Sequence, residues 1–134
     1  MNYKVGMQEA FTKTIAESDV YLFAGLTGDM NEVHINSVAA EKSVFGRRIV
    51  HGILVVGLIS NVIGMKLPGD GTIYMEQDVR FLKPVYIGDT VTARVRVKEI
   101  INQDKGIMRL DTDVINQKGD IVVEGFAVVK NKVT

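Results

Sequence analysis

The sequence predicts an α+β chain, with helices gathered in the first half and antiparallel strands in the second. Three observations carry this. The hydrophobic spacing is helical up to Leu67 and alternates with a period of two from Thr72 onward. The stretch Ile49–Leu67 is apolar on nearly every side, as expected of an enclosed helix. Polar turns at 103–106 and 116–119 divide the alternating segments into hairpins. Helices followed by strands, rather than interleaved with them, give α+β order. A long apolar helix beside a strand meander fits a curved sheet wrapped around a central helix.

Taken in order, Gln8–Ile15 reads as a first strand. Ser18 is the expected N-cap of a helix over 19–27, with Asp19 in its first turn and Gly28 ending it. Asn36 is expected to cap a short helix through Ser37, Ala39, Ala40 and Lys42, and Val44–Arg48 is a loop. The main helix covers Ile49–Leu67. Its Gly52, Gly57 and Gly64 each cost about 1 kcal/mol against Ala, which predicts a steric reason for them. Leu67–Gly71 ends it. Strands follow at 72–82, 90–100, 107–115 and 120–130. On the last, Ile121, Val123, Gly125, Ala127 and Val129 share one face, opposite Val122, Glu124, Phe126 and Val128.

The length of 134 residues fits one domain, residues 1–134. A hydrophobic share of 46% is enough for an ordinary core. Sixteen basic and sixteen acidic residues balance, so nothing in the charge predicts nucleic-acid or membrane binding. There is no cysteine, which excludes disulfides, thiolate catalysis and a Cys-based metal site. The start, Met1 to Val5, lacks the apolar core of a leader peptide, and no apolar run is long enough to span a bilayer. A cytoplasmic location is the default expectation.

The chemistry points to Phe23–Gly52. Both histidines of the chain, His34 and His51, lie there, with Asp29 five residues before His34. Residues five apart on a helix point about 140° from each other. On a strand, an odd spacing puts them on opposite faces. The pair converges only if the backbone bends, which Gly28 and Asn31 allow. The plain structural alternative is that Asp29 caps a turn and His34 packs. The start of the apolar helix, near His51 and Gly52, offers unpaired N–H groups and positive dipole charge. A base, an acid and an oxyanion site suit proton abstraction beside a carbonyl, or addition of water to a conjugated double bond. Two His and one Asp could in principle ligate a metal, but His51 at a helix start reads rather as a packing or capping residue. No metal or cofactor is expected. Nucleotide-cradle and G-x-S-x-G motifs are missing. Arg47 and Arg48 read as a solvated pair.

Phe23-Ala24-Gly25-Leu26-Thr27-Gly28-Asp29-Met30-Asn31-Glu32-Val33-His34, with Phe45-Gly46-Arg47-Arg48-Ile49-Val50-His51-Gly52 downstream, resembles the hydratase signature of the MaoC-like dehydratases. The (R)-specific enoyl-CoA hydratases are the most similar type. The resemblance continues through Leu67-Pro68-Gly69, Gly71 to Tyr74 and Val79 to Asp89, and so covers nearly the whole chain. It implies a hot-dog fold, a homodimer or higher homo-oligomer, and reversible syn hydration of trans-2-enoyl-CoA to (R)-3-hydroxyacyl-CoA. CoA would enter as part of the substrate. By the same resemblance Asp29 and His34 are the catalytic pair, and the Gly52 N–H binds the thioester oxygen. Ser60 supports the pair by hydrogen bonding, and Asn31 shapes the loop. Two prolines usual in the family are replaced, by Glu32 and by Arg48, which implies a looser loop. Two rival readings share the fold. A hot-dog thioesterase would carry an acid on the central helix, and Gly52–Leu67 has none. A non-catalytic acyl-thioester-binding subunit would not need Asp29 and His34.

Overall fold

Alternation in the second half of the chain becomes a sheet with one dry and one wet face. The computed structural model describes residues 3–132; Met1 and Asn2, at the head of the stretch read as lacking a leader, lie outside them. The strands are β1 (Gln8–Thr14), β2 (Ile73–Phe81), β3 (Thr90–Asn102), β4 (Ile107–Ile115) and β5 (Ile121–Lys130). They form one antiparallel sheet in the order β1-β3-β4-β5-β2. On β3, Val91, Ala93, Val95 and Val97 are buried, and on β4 so are Met108, Leu110, Thr112 and Val114. Their neighbours face outward, where Arg94 reaches across to Asp113 with a bidentate contact of 2.7 and 2.6 Å. Such pairing of opposite charges directly across two strands supports the register.

Alternation fails at the start of β5. Val122 and Val123 are both buried, whereas Ile121 is partly exposed. A bulge in β5 accounts for this: Val114 faces Val123 and Ile115 faces Ile121, so Val122 is the extra residue and Ile121 turns off the buried face.

The helices are α1 (Glu17–Thr27), α2 (Glu32–Ile35), α3 (Ser37–Glu41) and α4 (Gly52–Met65). Helix α4 lies on the dry face of the sheet, packed against β3, β1 and β4. Val55, Ile59, Val62 and Ile63 face the strands, at helical spacing, and join the core cluster with Val91, Val95, Leu110 and Val129. Each such side chain contributes about 1.5–3 kcal/mol by leaving water. A central helix with a sheet curved over it is the predicted arrangement.

Three details differ from the expectation. The N-cap of α1 is Ala16, not Ser18; the first turn is closed by Asp19, whose carboxylate accepts the Ala16 N–H at 2.8 Å. Helix α4 begins at Gly52, three residues later than its apolar pattern, because Ile49 is bridged to Tyr86. It is also enclosed on one side only: Ile53, Gly57, Ser60, Gly64 and Met65 are exposed. A Cβ at Gly57 or Gly64 would meet nothing within 4 Å in this chain. Among the described residues, no helix is long and apolar enough to cross a membrane.

Ile59 is fully buried at the centre of the α4–sheet contact. Replacing it with Ala should destabilise the protein by about 2–5 kcal/mol. The expected result is a lower urea midpoint with an unchanged slope.

Candidate active site

Two turns bring Asp29 and His34 together. Helix α1 ends at Gly28, whose φ of +79° is left-handed and whose N–H bonds the Ala24 carbonyl at 2.9 Å. The Thr27 hydroxyl bonds the Phe23 carbonyl at 2.8 Å and receives the Asp29 N–H at 3.2 Å, which fixes the exit from the helix. Asp29 Oδ1 then accepts the Asn31 N–H at 3.4 Å. Asn31 caps α2 by accepting the Val33 N–H at 3.3 Å. The segment read as irregular thus contains a single helical turn, and His34 projects inward from it. Asn36 caps α3 as expected, accepting from Val38 and Ala39.

His34 is 8% exposed and His51 2%, whereas Asp29 is open to solvent. His34 Nδ1 donates to the Ile49 carbonyl at 2.7 Å, since a carbonyl can only accept. In the neutral ring Nε2 then carries the lone pair. His51 Nε2 donates to the Asp29 carbonyl at 3.0 Å, and its Nδ1 is buried with no partner. The two imidazoles stack with centroids 3.8 Å apart and 24° between planes. The Phe23 ring also packs on His51, with centroids 4.8 Å apart and 54° between planes. Asp29, His34 and His51 each offer a ligand-type atom within 4.8 Å of the others. The imidazoles do not suit one metal ion: stacked rings tilted by 24° cannot both hold an ion in plane at about 2 Å from nitrogen.

His51 occupies the N-cap position of α4 but makes no side-chain cap bond, so it packs rather than caps. Gly52 is the first residue of the helix. A Cβ there would lie 2.6 Å from the Phe81 ring. The steric reason for this glycine is therefore in the structure, unlike those for Gly57 and Gly64. From Gly52 an apolar cleft of about 490 Å³ runs between Phe45, Ile49, Phe81, Leu82 and Val85. Both Phe23 and Phe81 lie in the stretches that carry the family resemblance, but sequence reasoning gave neither a role at the site.

Ser60 sits two turns along α4 on its exposed face. It has no hydrogen bond to Asp29 or His34 among the described residues, so the support expected from it is not made within one chain. Of the basic pair, Arg47 is exposed as expected and Arg48 is partly buried in a network of bonds. Arg47 stacks on Tyr86 at 4.0 Å. Arg48 bonds the Tyr21 hydroxyl at 2.6 Å and Glu17 at 3.3 Å, tying the loop to α1. These bonds hold the Glu17 carboxyl below its usual range, Arg48 first and Tyr21 second.

Residues 4–118 match the MaoC like domain. The chain is 46% identical over 126 residues to the (R)-specific enoyl-CoA hydratase of Rhodospirillum rubrum, covering 94% of this chain and 86% of that one. It is 40% identical to the (R)-specific enoyl-CoA hydratase of Aeromonas caviae, covering 95% of this chain and 94% of that one. The solved structure of the A. caviae (R)-hydratase, involved in PHA biosynthesis, superposes with a TM-score of 0.93 at 39% identity, over 97% of this chain and 98% of that one. The R-hydratase PhaJ1 of Pseudomonas aeruginosa gives 0.90 at 38% identity, over 98% and 88%. The fold is the hot-dog fold of these hydratases, and the chain belongs to the MaoC-like family.

Proposed function

We propose that this protein is an (R)-specific enoyl-CoA hydratase, which adds water reversibly to trans-2-enoyl-CoA to give (R)-3-hydroxyacyl-CoA. One observation carries the reading: Asp29 and His34 converge beside the start of α4, where Gly52 opens an apolar cleft. The cleft takes the apolar part of the thioester. The Gly52 N–H, helped by the positive end of α4, receives the thioester oxygen and draws electron density from the double bond. A water held between the Asp29 carboxylate and the Nε2 of His34 attacks C3. The π electrons of C2=C3 move toward the thioester, and the developing charge falls on the oxygen at Gly52. Asp29 and His34 take the proton lost by the water and return a proton to C2 on the same face. No redox step occurs, so the reaction needs no cofactor beyond the CoA of the substrate itself. An acid on the central helix, as a hot-dog thioesterase would use, is missing from α4.

The same reading makes the functional unit a homodimer. Ile53 and Met65 on α4 and Ile73 and Met75 on edge strand β2 are exposed apolar side chains that a second copy would cover. The open face of α4 holds Ser60 as well, so its proposed support of the pair would act in that assembly. A cytoplasmic location fits this substrate.

The purified protein should hydrate crotonyl-CoA, followed as loss of absorbance of the conjugated thioester. Asp29→Asn and His34→Ala should each lower kcat by about 10²–10⁴-fold with the fold intact. Full activity in either variant would remove the assignment. Gly52→Ala keeps its N–H but pushes the Phe81 ring aside, and that ring is half-exposed and free to move. Its stability should change little while kcat/KM falls about tenfold or more, with partial recovery in the double variant with Phe81→Ala.

A further inference from the structure

We infer that His51 is a positioning residue that sets the distance between the acid–base pair and the oxyanion site. The inference rests on the hydratase reading for its chemistry and on geometry for the rest. His51 is 2% exposed, and its Nε2 hydrogen is used on the Asp29 carbonyl, so it is not itself an acid or base for the substrate. Its contacts reach every part of the site. Nε2 fixes the backbone of Asp29 at 3.0 Å. Its ring stacks on the His34 imidazole at 3.8 Å, and the Phe23 ring packs against it at 4.8 Å. Its own main chain leads directly into Gly52, the first residue of α4.

An aliphatic side chain at position 51 would supply neither the donor for the Asp29 carbonyl nor a flat face for His34. A phenyl ring would supply the face alone. A Gln side chain would supply the donor alone, with its amide nitrogen about as far from Cα as the imidazole Nε2. The donor is the decisive part, because Asp29 sits on a solvent-exposed turn whose other bonds are local: Asn31 N–H to its own carboxylate and Asp29 N–H to Thr27. The His51 bond is the contact by which a residue 22 positions away holds that turn against α4.

The test compares His51→Phe and His51→Gln on crotonyl-CoA, together with amide hydrogen exchange of the Asp29–His34 segment by mass spectrometry. His51→Phe should lose about tenfold or more in kcat with KM nearly unchanged, and the segment should exchange faster. His51→Gln should lose less than about tenfold and exchange as the wild type does. If His51→Phe keeps kcat within that limit, or exchanges no faster, or if His51→Gln falls beyond it, the donor does not position Asp29 and the inference is overturned. Should His51→Phe fail to fold, the kcat of His51→Gln decides alone by the same limit. If the wild type hydrates no enoyl thioester, the proposed function fails, and the exchange comparison still decides whether His51 holds the turn.

Discussion

The site hangs on four residues of extended chain, Arg48 to His51, held against the turn after β2. The Val50 N–H bonds the Val85 carbonyl at 2.7 Å, Ile87 N–H reaches Arg48, and Ile49 is bridged to Tyr86. This short pairing anchors the segment to the sheet side of the molecule. From the segment, contacts run back to the loop that carries Asp29 and His34. The Ile49 N–H bonds the Val33 carbonyl at 3.0 Å, the Ile49 carbonyl receives His34 Nδ1, and His51 bonds Asp29. Forward from it, the chain turns into α4 at Gly52. The loop of Asp29 and His34 and the start of α4 therefore share one support, and in the proposed reaction such support limits the misplacement to which active sites are sensitive.

The three helices around the site are treated differently, and the contrast has a physical meaning. Helices α2 and α3 are only 4 and 5 residues long, and each is capped by an asparagine side chain. Helices this short do not stand without such help. Helix α4 has 14 residues and no side-chain cap. Forgoing a cap costs about 1 kcal/mol. The burial of Val55, Ile59, Val62 and Ile63 offsets that several times over. The first N–H groups of α4 then have no side-chain cap at the end that lines the cleft, and in the proposed reaction the thioester oxygen would take that place. Local rules of helix design are broken where the proposed chemistry needs them broken.

Much of this was legible in the sequence, and the misses have definite causes. The change of period at Thr72 located the strands, because side-chain alternation is a local property. Gly28 and Asn36 were readable, since a left-handed end and an N-cap depend on the residue itself. Ala16 was not: its helix is closed by the Asp19 side chain reaching back to a backbone N–H, which any residue but proline could donate at position 16. The start of α4 was misplaced because Ile49 and Val50 continue the apolar pattern, while their conformation is decided by Tyr86 and Val85 some 36 positions away. The Asp29–His34 pair was legible because the spacing argument demanded a bend. The part played by His51 was not, since it arises from packing against Phe23 and His34.

Glu32 and Arg48, standing where the family usually has proline, complete the account of the loop. Glu32 is the first residue of α2. That position suits proline, whose missing N–H is not needed there, and suits an acid equally, because the helix dipole favours negative charge. Arg48 trades a fixed φ for bonds to Tyr21 and Glu17. A proline restrains the chain through backbone entropy, and an exposed ion pair through its side chains. At Arg48 the restraint thus comes from side-chain bonds rather than from a fixed φ. Its character does change: Glu17 is half-exposed, so the restraint at Arg48 is screened by salt in a way that a locked φ is not.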